Sequence, residues 1–201
     1  MRLIYILIGV IISSSCTNST QNQTKEHLAS QQKESNSPSA EPSSDSRKWT
    51  DNFLEFKKAI LANDRKTVKS FIDFPIKNKG NEIWYLADSR LLMEINPDKV
   101  VPFNESDFDK YYSSIFSLDF RKTLEKVNLD DFFKTHNSSS PEIEVVKGSK
   151  SKLEASFDKS TQKVTLTLLT TGQDFSEFAI QYEFDVMNGQ NLKFKQVHVA
   201  G

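Results

Sequence analysis

Residues 177–200, EFAIQYEFDVMNGQNLKFKQVHVA, decide the fold. Phe178, Ile180, Tyr182, Phe184 and Val186 occupy alternate positions, opposite Glu177, Gln181, Glu183 and Asp185. A period of two is the signature of a strand with one wet face. Asn188-Gly189 then marks a tight hairpin, because both central residues of such a turn need positive φ. Beyond it, Leu192, Phe194, Gln196 and His198 fall on one face of a returning strand. The alternation also extends upstream, through Val164, Leu166 and Leu168, through Leu153, Ala155 and Phe157, and back to Ile143 and Val145. Gly148, Asp158 to Thr161 and Gly172 supply the turns between these runs. The pattern predicts a meander of about five antiparallel strands, and its apolar face needs a cover.

The cover lies before the strands. In WTDNFLEFKKAILANDRKTVKSFIDFPI (49–76), Trp49, Phe53, Phe56 and Ile60 recur at helical spacing, with Thr50 or Asp51 as a start signal. Asp64 can cap a second helix carrying Val68, Phe71 and Ile72, ended by Pro75 because the residue before proline avoids the α region. NEIWYLADSRLLMEI (81–95) reads equally as a strand pair or a helix. Ser106 opens a further helix with Phe108, Tyr111, Tyr112, Ile115 and Phe116 on one face, continued by another through Leu124 and Val127. Lys57-Lys58, Arg65-Lys66 and Lys69 fall on polar helix sides, and the fifteen Phe are core material. The fold class is therefore α+β, with N-terminal helices packed on an antiparallel meander over residues 48–201.

The first 47 residues follow another logic. Leu3 to Ile12 is a short apolar run behind Arg2, followed by Ser13, Ser14, Ser15 and Cys16. Its length is about half of the roughly 20 residues that a bilayer span needs, and its shape is that of a signal peptide over residues 1–15. Ser13-Ser14-Ser15-Cys16 resembles the lipobox of bacterial lipoproteins, although Ser13 replaces the commoner aliphatic residue. The resemblance implies that Cys16, the only cysteine, is acylated (palmitate among its chains) and becomes the mature N-terminus. It further implies a membrane partner and a bacterial cell-envelope location. Thr17 in place of an aspartate favours the outer membrane. Residues 16–47 hold no aromatic side chain and one large aliphatic, Leu28, too little to offset ordering entropy, so they read as a tether. Its root-mean-square reach is about 30 Å.

The globular part carries a second resemblance. A helix pair, the element Phe74-Pro75-Ile76, a helix with central Ile115-Phe116 and a terminal antiparallel meander resemble the cone-shaped NTF2-like fold. In element order they are similar to small envelope proteins of Bacteroidetes-type bacteria, over residues 49–199. A cystatin-like or other sheet-and-helix arrangement stays open. NTF2-like folds enclose a pocket between sheet and helices, where ketosteroid-isomerase relatives place a carboxylate and a tyrosine. Tyr182 and His198, with Gln196 beside them, sit on predicted inward faces and are the candidate ligand-binding residues. The carboxylate has no counterpart, since Glu183 and Asp185 alternate outward.

Little else in the chain carries chemistry. His27, His136 and His198 are widely separated, and His136 reads as a lone loop imidazole, so no metal-ligand spacing exists. Six glycines form no dinucleotide or phosphate loop, and Ser138-Ser139-Ser140 reads as a flexible connector rather than a nucleophile elbow. Removing residues 1–15 takes away one charge, Arg2, and moves the formal balance from −1 to −2, which excludes a nucleic-acid-like basic field. The expectation is a lipid-anchored envelope protein without catalytic residues, metal or cofactor, binding a small apolar ligand or an envelope protein. The alternative is an enzyme using a cone pocket with Tyr182 and His198 as its polar groups.

Overall fold

The computed structural model describes residues 48–96, 98–172 and 176–201, with only the backbone described at 91–93. The signal peptide, Cys16 and the tether lie outside these residues. Helices come first: α1 (Trp49–Leu61), α2 (Arg65–Ser70), α3 (Glu82–Ala87), α4 (Ser89–Glu94), α5 (Glu105–Ile115), α6 (Leu118–Lys126) and α7 (Leu129–Thr135). The strands follow: β1 (Asn137–Ser139), β2 (Ile143–Val146), β3 (Ser149–Asp158), β4 (Lys163–Thr171), β5 (Glu177–Met187) and β6 (Asn191–Ala200). The class is α+β, and the sheet is open and antiparallel in the order β1-β3-β4-β5-β6. β2 also pairs with β3, so β1 and β2 lie end to end along one margin.

Several helix boundaries differ from those the sequence predicts. α1 starts one residue before Thr50: the Lys48 amide donates to Asp51 Oδ2 at 3.2 Å, so Asp51 acts from inside the first turn. α2 begins as expected, with the Thr67 amide donating to Asp64 Oδ1 at 3.1 Å. It ends at Ser70 rather than at Pro75, because Phe71 and Ile72 are drawn into contact with β6. The 81–95 segment resolves into α3 and α4. α5 is opened by Asn104, whose amide donates to Asp107 Oδ2 at 2.9 Å, which places Ser106 inside the helix.

The inner face of the sheet and the helices share one aromatic core. Phe53, Phe56, Phe108, Tyr112, Phe116, Phe120, Phe132, Tyr182 and Phe184 are fully buried. The Tyr182 ring lies 5.9 Å from Phe116 and 4.4 Å from Phe120, and Phe184 packs at 5.0 Å on Phe56 and 5.3 Å on Phe194. Lys57 departs from the polar-face expectation. It is buried, and its Nζ donates to the carbonyl of Val127 at 3.0 Å, satisfying the end of α6. Burial, against the charge of Glu125, lowers its pKa.

One reading of the connector region is overturned. Ser138 and Ser139 belong to β1, and Ser140 is buried. Its hydroxyl accepts from the Leu153 amide at 3.0 Å while its own amide donates to the Leu153 carbonyl at 2.8 Å. His136 is the left-handed cap of α7 (φ 66°), its ring 5.4 Å from that of Phe157.

The last strand carries the correction that matters most. Glu183 pairs with Gln196, yet Phe184 pairs with Phe194, so Lys195 is an extra residue in a bulge. The bulge shifts the alternation by one: Val197 turns inward, fully buried, and Gln196 and His198 turn to the outer face. The outward margin of β6 is itself covered. The Phe194 amide donates to the Phe71 carbonyl at 2.8 Å, Ile72 forms a parallel bridge to Phe194, and the Val197 amide meets Asn78 Oδ1 at 3.4 Å.

Candidate functional site

Tyr182 is not in a pocket. It points into the core, and its hydroxyl donates to the carbonyl of Ile115 at 2.7 Å. Burial pushes its pKa far above the ordinary phenol range. Gln196 and His198 are together, on the opposite face of the sheet, in a cluster completed by Lys163 of β4, Glu183 of β5 and Glu82 at the start of α3.

The cluster is organised around Glu183, which keeps 14% of its side-chain exposure. Its Oε2 accepts from Gln196 Nε2 at 2.8 Å and from Lys163 Nζ at 3.2 Å. Burial pushes the carboxyl up, but the hydrogen bonds from Gln196 and Lys163 and the charges of Lys163 and His198 outweigh it and hold the pKa below its ordinary value. Gln196 Nε2 also stands 3.0 Å from His198 Nε2. An amide nitrogen only donates, so where this contact is a hydrogen bond the ring nitrogen is its acceptor. Nδ1 faces Glu82 Oε2 at 3.0 Å, and Nε2 is 3.6 Å from Glu183 Oε1. The Glu82 contact is close but not aligned as a hydrogen bond, and leaves Oε2 buried without a donor.

His198 therefore stands between two carboxylates, which is the setting of a general base, but both of its ring nitrogens are engaged by neighbours. No group of three or more His, Cys, Asp or Glu side chains among the described residues is placed to hold a metal ion. Sequence reasoning named Gln196 and His198 but missed Glu82 and Lys163. Only Lys163 left a signal, since alternation places it on the Glu183 side of the sheet. Glu82 reaches the cluster through the cover on the β6 margin, where Asn78 Oδ1 accepts from both the Ile83 and Val197 amides.

A cleft of about 380 Å³ opens on the same face, toward the far end of the strands. The cross-strand row Lys152, Leu169, Ala179, Ala200 lies next to the row containing Gln181 and His198. Leu169, Ala179 and Ala200 give the cleft an apolar floor, and Glu142, Lys150, Lys152 and Glu177 give it a rim of both charges. Lys150 and Glu142 pair at 2.8 Å on that rim.

No helix among the described residues is long and apolar enough to cross a membrane. No protein-family model matches the chain, and no curated protein or solved structure matches it either.

Proposed function

We propose that the chain is a lipid-anchored protein of the bacterial cell envelope, held at the outer membrane through Cys16, with an NTF2-like, non-catalytic binding domain. The order of helices first and antiparallel sheet last, with the helices on the inner face, supports the NTF2-like reading. One observation carries the binding mode: the space where a cone pocket would lie is occupied by the rings of Phe116, Phe120, Tyr182 and Phe184, while the outer face holds an open cleft with an apolar floor. The domain thus receives a small apolar ligand, or an apolar segment of an envelope protein, on the outside of its sheet. The test is an environment-sensitive apolar fluorophore titrated into the protein. Ala179→Trp, which fills the cleft, abolishes the signal and Tyr182→Phe keeps it; the reverse result rejects the outer-face reading.

A second reading rests on His198. Glu82 Oε2 lies 3.0 Å from Nδ1, the side on which a catalytic histidine takes its orienting partner, although the contact is not aligned as a hydrogen bond. The occupation of Nε2 by Gln196 weighs against it, because a substrate proton would have to displace that amide. A hydrolytic activity lost in His198→Gln but retained in Ala179→Trp would favour this alternative.

A further inference from the structure

Helices α1 and α6 lie side by side in opposite directions. Lys57 Nζ reaches the carbonyl of Val127, just past the end of α6, while Leu61 at the end of α1 and Leu118 at the start of α6 line one notch of about 280 Å³. A single exposed leucine is ordinary, but here two, 41% and 50% exposed, share a notch with Arg121, Lys122 and Glu125. Arg121 and Lys122 make no ion pair among the described residues, and the Nε of Arg121 has no hydrogen-bond partner. Glu125 is the acid that lines the notch, and Lys126 stands 3.9 Å from it. The sheet's cleft is different: its cations Lys150 and Lys152 are each held by a carboxylate, at 2.8 and 2.9 Å. The notch therefore presents two apolar side chains beside two uncompensated cations.

We propose that this end of the α1 and α6 pair docks on a membrane surface containing acidic phospholipid, with Leu61 and Leu118 entering the interface and Arg121 and Lys122 set against headgroup phosphates. The setting rests on the lipid-anchor reading. Residues 17–47 have a reach of about 30 Å and α1 measures about 18 Å from Trp49 to Leu61, so the far end of α1 can touch the surface that holds the chain. The leucines gain by entering an apolar phase, and cations beside them gain at the headgroup level, which together select a lipid surface over a small soluble anion. Each basic side chain brought to an acidic surface strengthens partition by about fivefold. Two of them give a contact of modest strength, suited to a domain already held nearby.

The test uses the full-length chain as Cys16→Ser with one new thiol, Leu118→Cys, carrying a polarity-sensitive nitrobenzoxadiazole label. It is titrated with vesicles of phosphatidylglycerol and phosphatidylcholine in equal parts, or of phosphatidylcholine alone. Met187→Cys, labelled in the same way, is the control, and it also reports any adsorption through residues 1–15. Met187 is 48% exposed beside the hairpin at the other end of α1, where the Trp49 amide donates to the Gly189 carbonyl at 3.4 Å. Because this chain lacks the thiol that would be acylated, it reports on the docking face whether or not the lipoprotein reading holds; membrane fractionation of the parent against Cys16→Ser decides that reading separately. The label at position 118 is expected to brighten saturably with the acidic vesicles, and the label at 187 to stay dim. Partition is expected to weaken at least tenfold with neutral vesicles, in about 0.5 M salt, and when Arg121→Glu and Lys122→Glu are combined. The proposal is overturned if the label at 118 stays dim, if the label at 187 brightens equally, or if neutral lipid, salt or charge reversal leaves the response unchanged. A response that rises with protein concentration in the absence of vesicles also overturns it, as a contact between copies. Should Arg121→Glu fail to fold, Lys122→Glu decides alone, with a loss of at least fivefold expected.

Discussion

The Tyr182 hydroxyl closes a backbone account: Ile115 is the last residue of α5, and its carbonyl receives the phenolic proton. Tyr182→Phe should therefore lower stability by about 1–3 kcal/mol in urea unfolding, the cost of a buried carbonyl left without a donor. On the other face of the same strand, Glu183 is more than a wet residue. Alternation alone makes it a neutral position, but Lys163 and Gln196 both donate to it. Its pKa lies below the ordinary 4.5 in the folded chain, so the folded state favours the ionised form. The stability this gives is complete above the unfolded value and is lost as pH falls through the folded one. In unfolding measured from about pH 6 down to about pH 3, Glu183→Gln should flatten the acid limb below about 4.5, leaving a smaller loss of stability than the parent shows. An unchanged limb would mean that the bonds to Glu183 are not kept in solution.

The bulge in β6 gives a sharp test of register. Val197→Ala should cost about 2 kcal/mol, two buried carbons at roughly 0.8 each plus the space they leave, whereas Gln196→Ala should cost under about 1 kcal/mol. Uninterrupted alternation predicts the opposite order. β3, β4 and β5 were legible because each has a dry row and a wet row, as Phe184 and Glu183 show. β6 was not fully legible, since Leu192 and Phe194 set a phase that nothing in Lys195-Gln196 announces as broken. β1 was illegible for a different reason: Asn137-Ser138-Ser139 has no apolar residue, and its pairing is imposed by β3. The apolar run in 81–95 hid its helices, because a buried helix and a buried strand have the same composition. Of the candidate site, Gln196 and His198 could be named, but their face depended on that bulge. Glu82 joins them only through tertiary folding.

At the scale of the whole molecule, two experiments separate anchor from domain. Cys16→Ser should release the protein from the membrane fraction in detergent-free extracts, because acylation needs the thiol; unchanged fractionation would reject the lipoprotein reading. A chain beginning at Arg47 should melt with the longer one, since residues 17–46 lack core-forming side chains, and a fall of several degrees would show otherwise. Tethering of the kind proposed would have a consequence in which the sheet margins take part. Molecules confined to a surface meet copies of themselves far more often than molecules in bulk, and an exposed strand would then recruit its neighbours into a growing ribbon. Here one margin is occupied by Phe71, Ile72 and Asn78, and the other is broken into two short pieces with Pro141, which has no amide proton, between them. Neither side offers a long uninterrupted template, so chains anchored as proposed would be hindered from joining edge to edge however densely they stood.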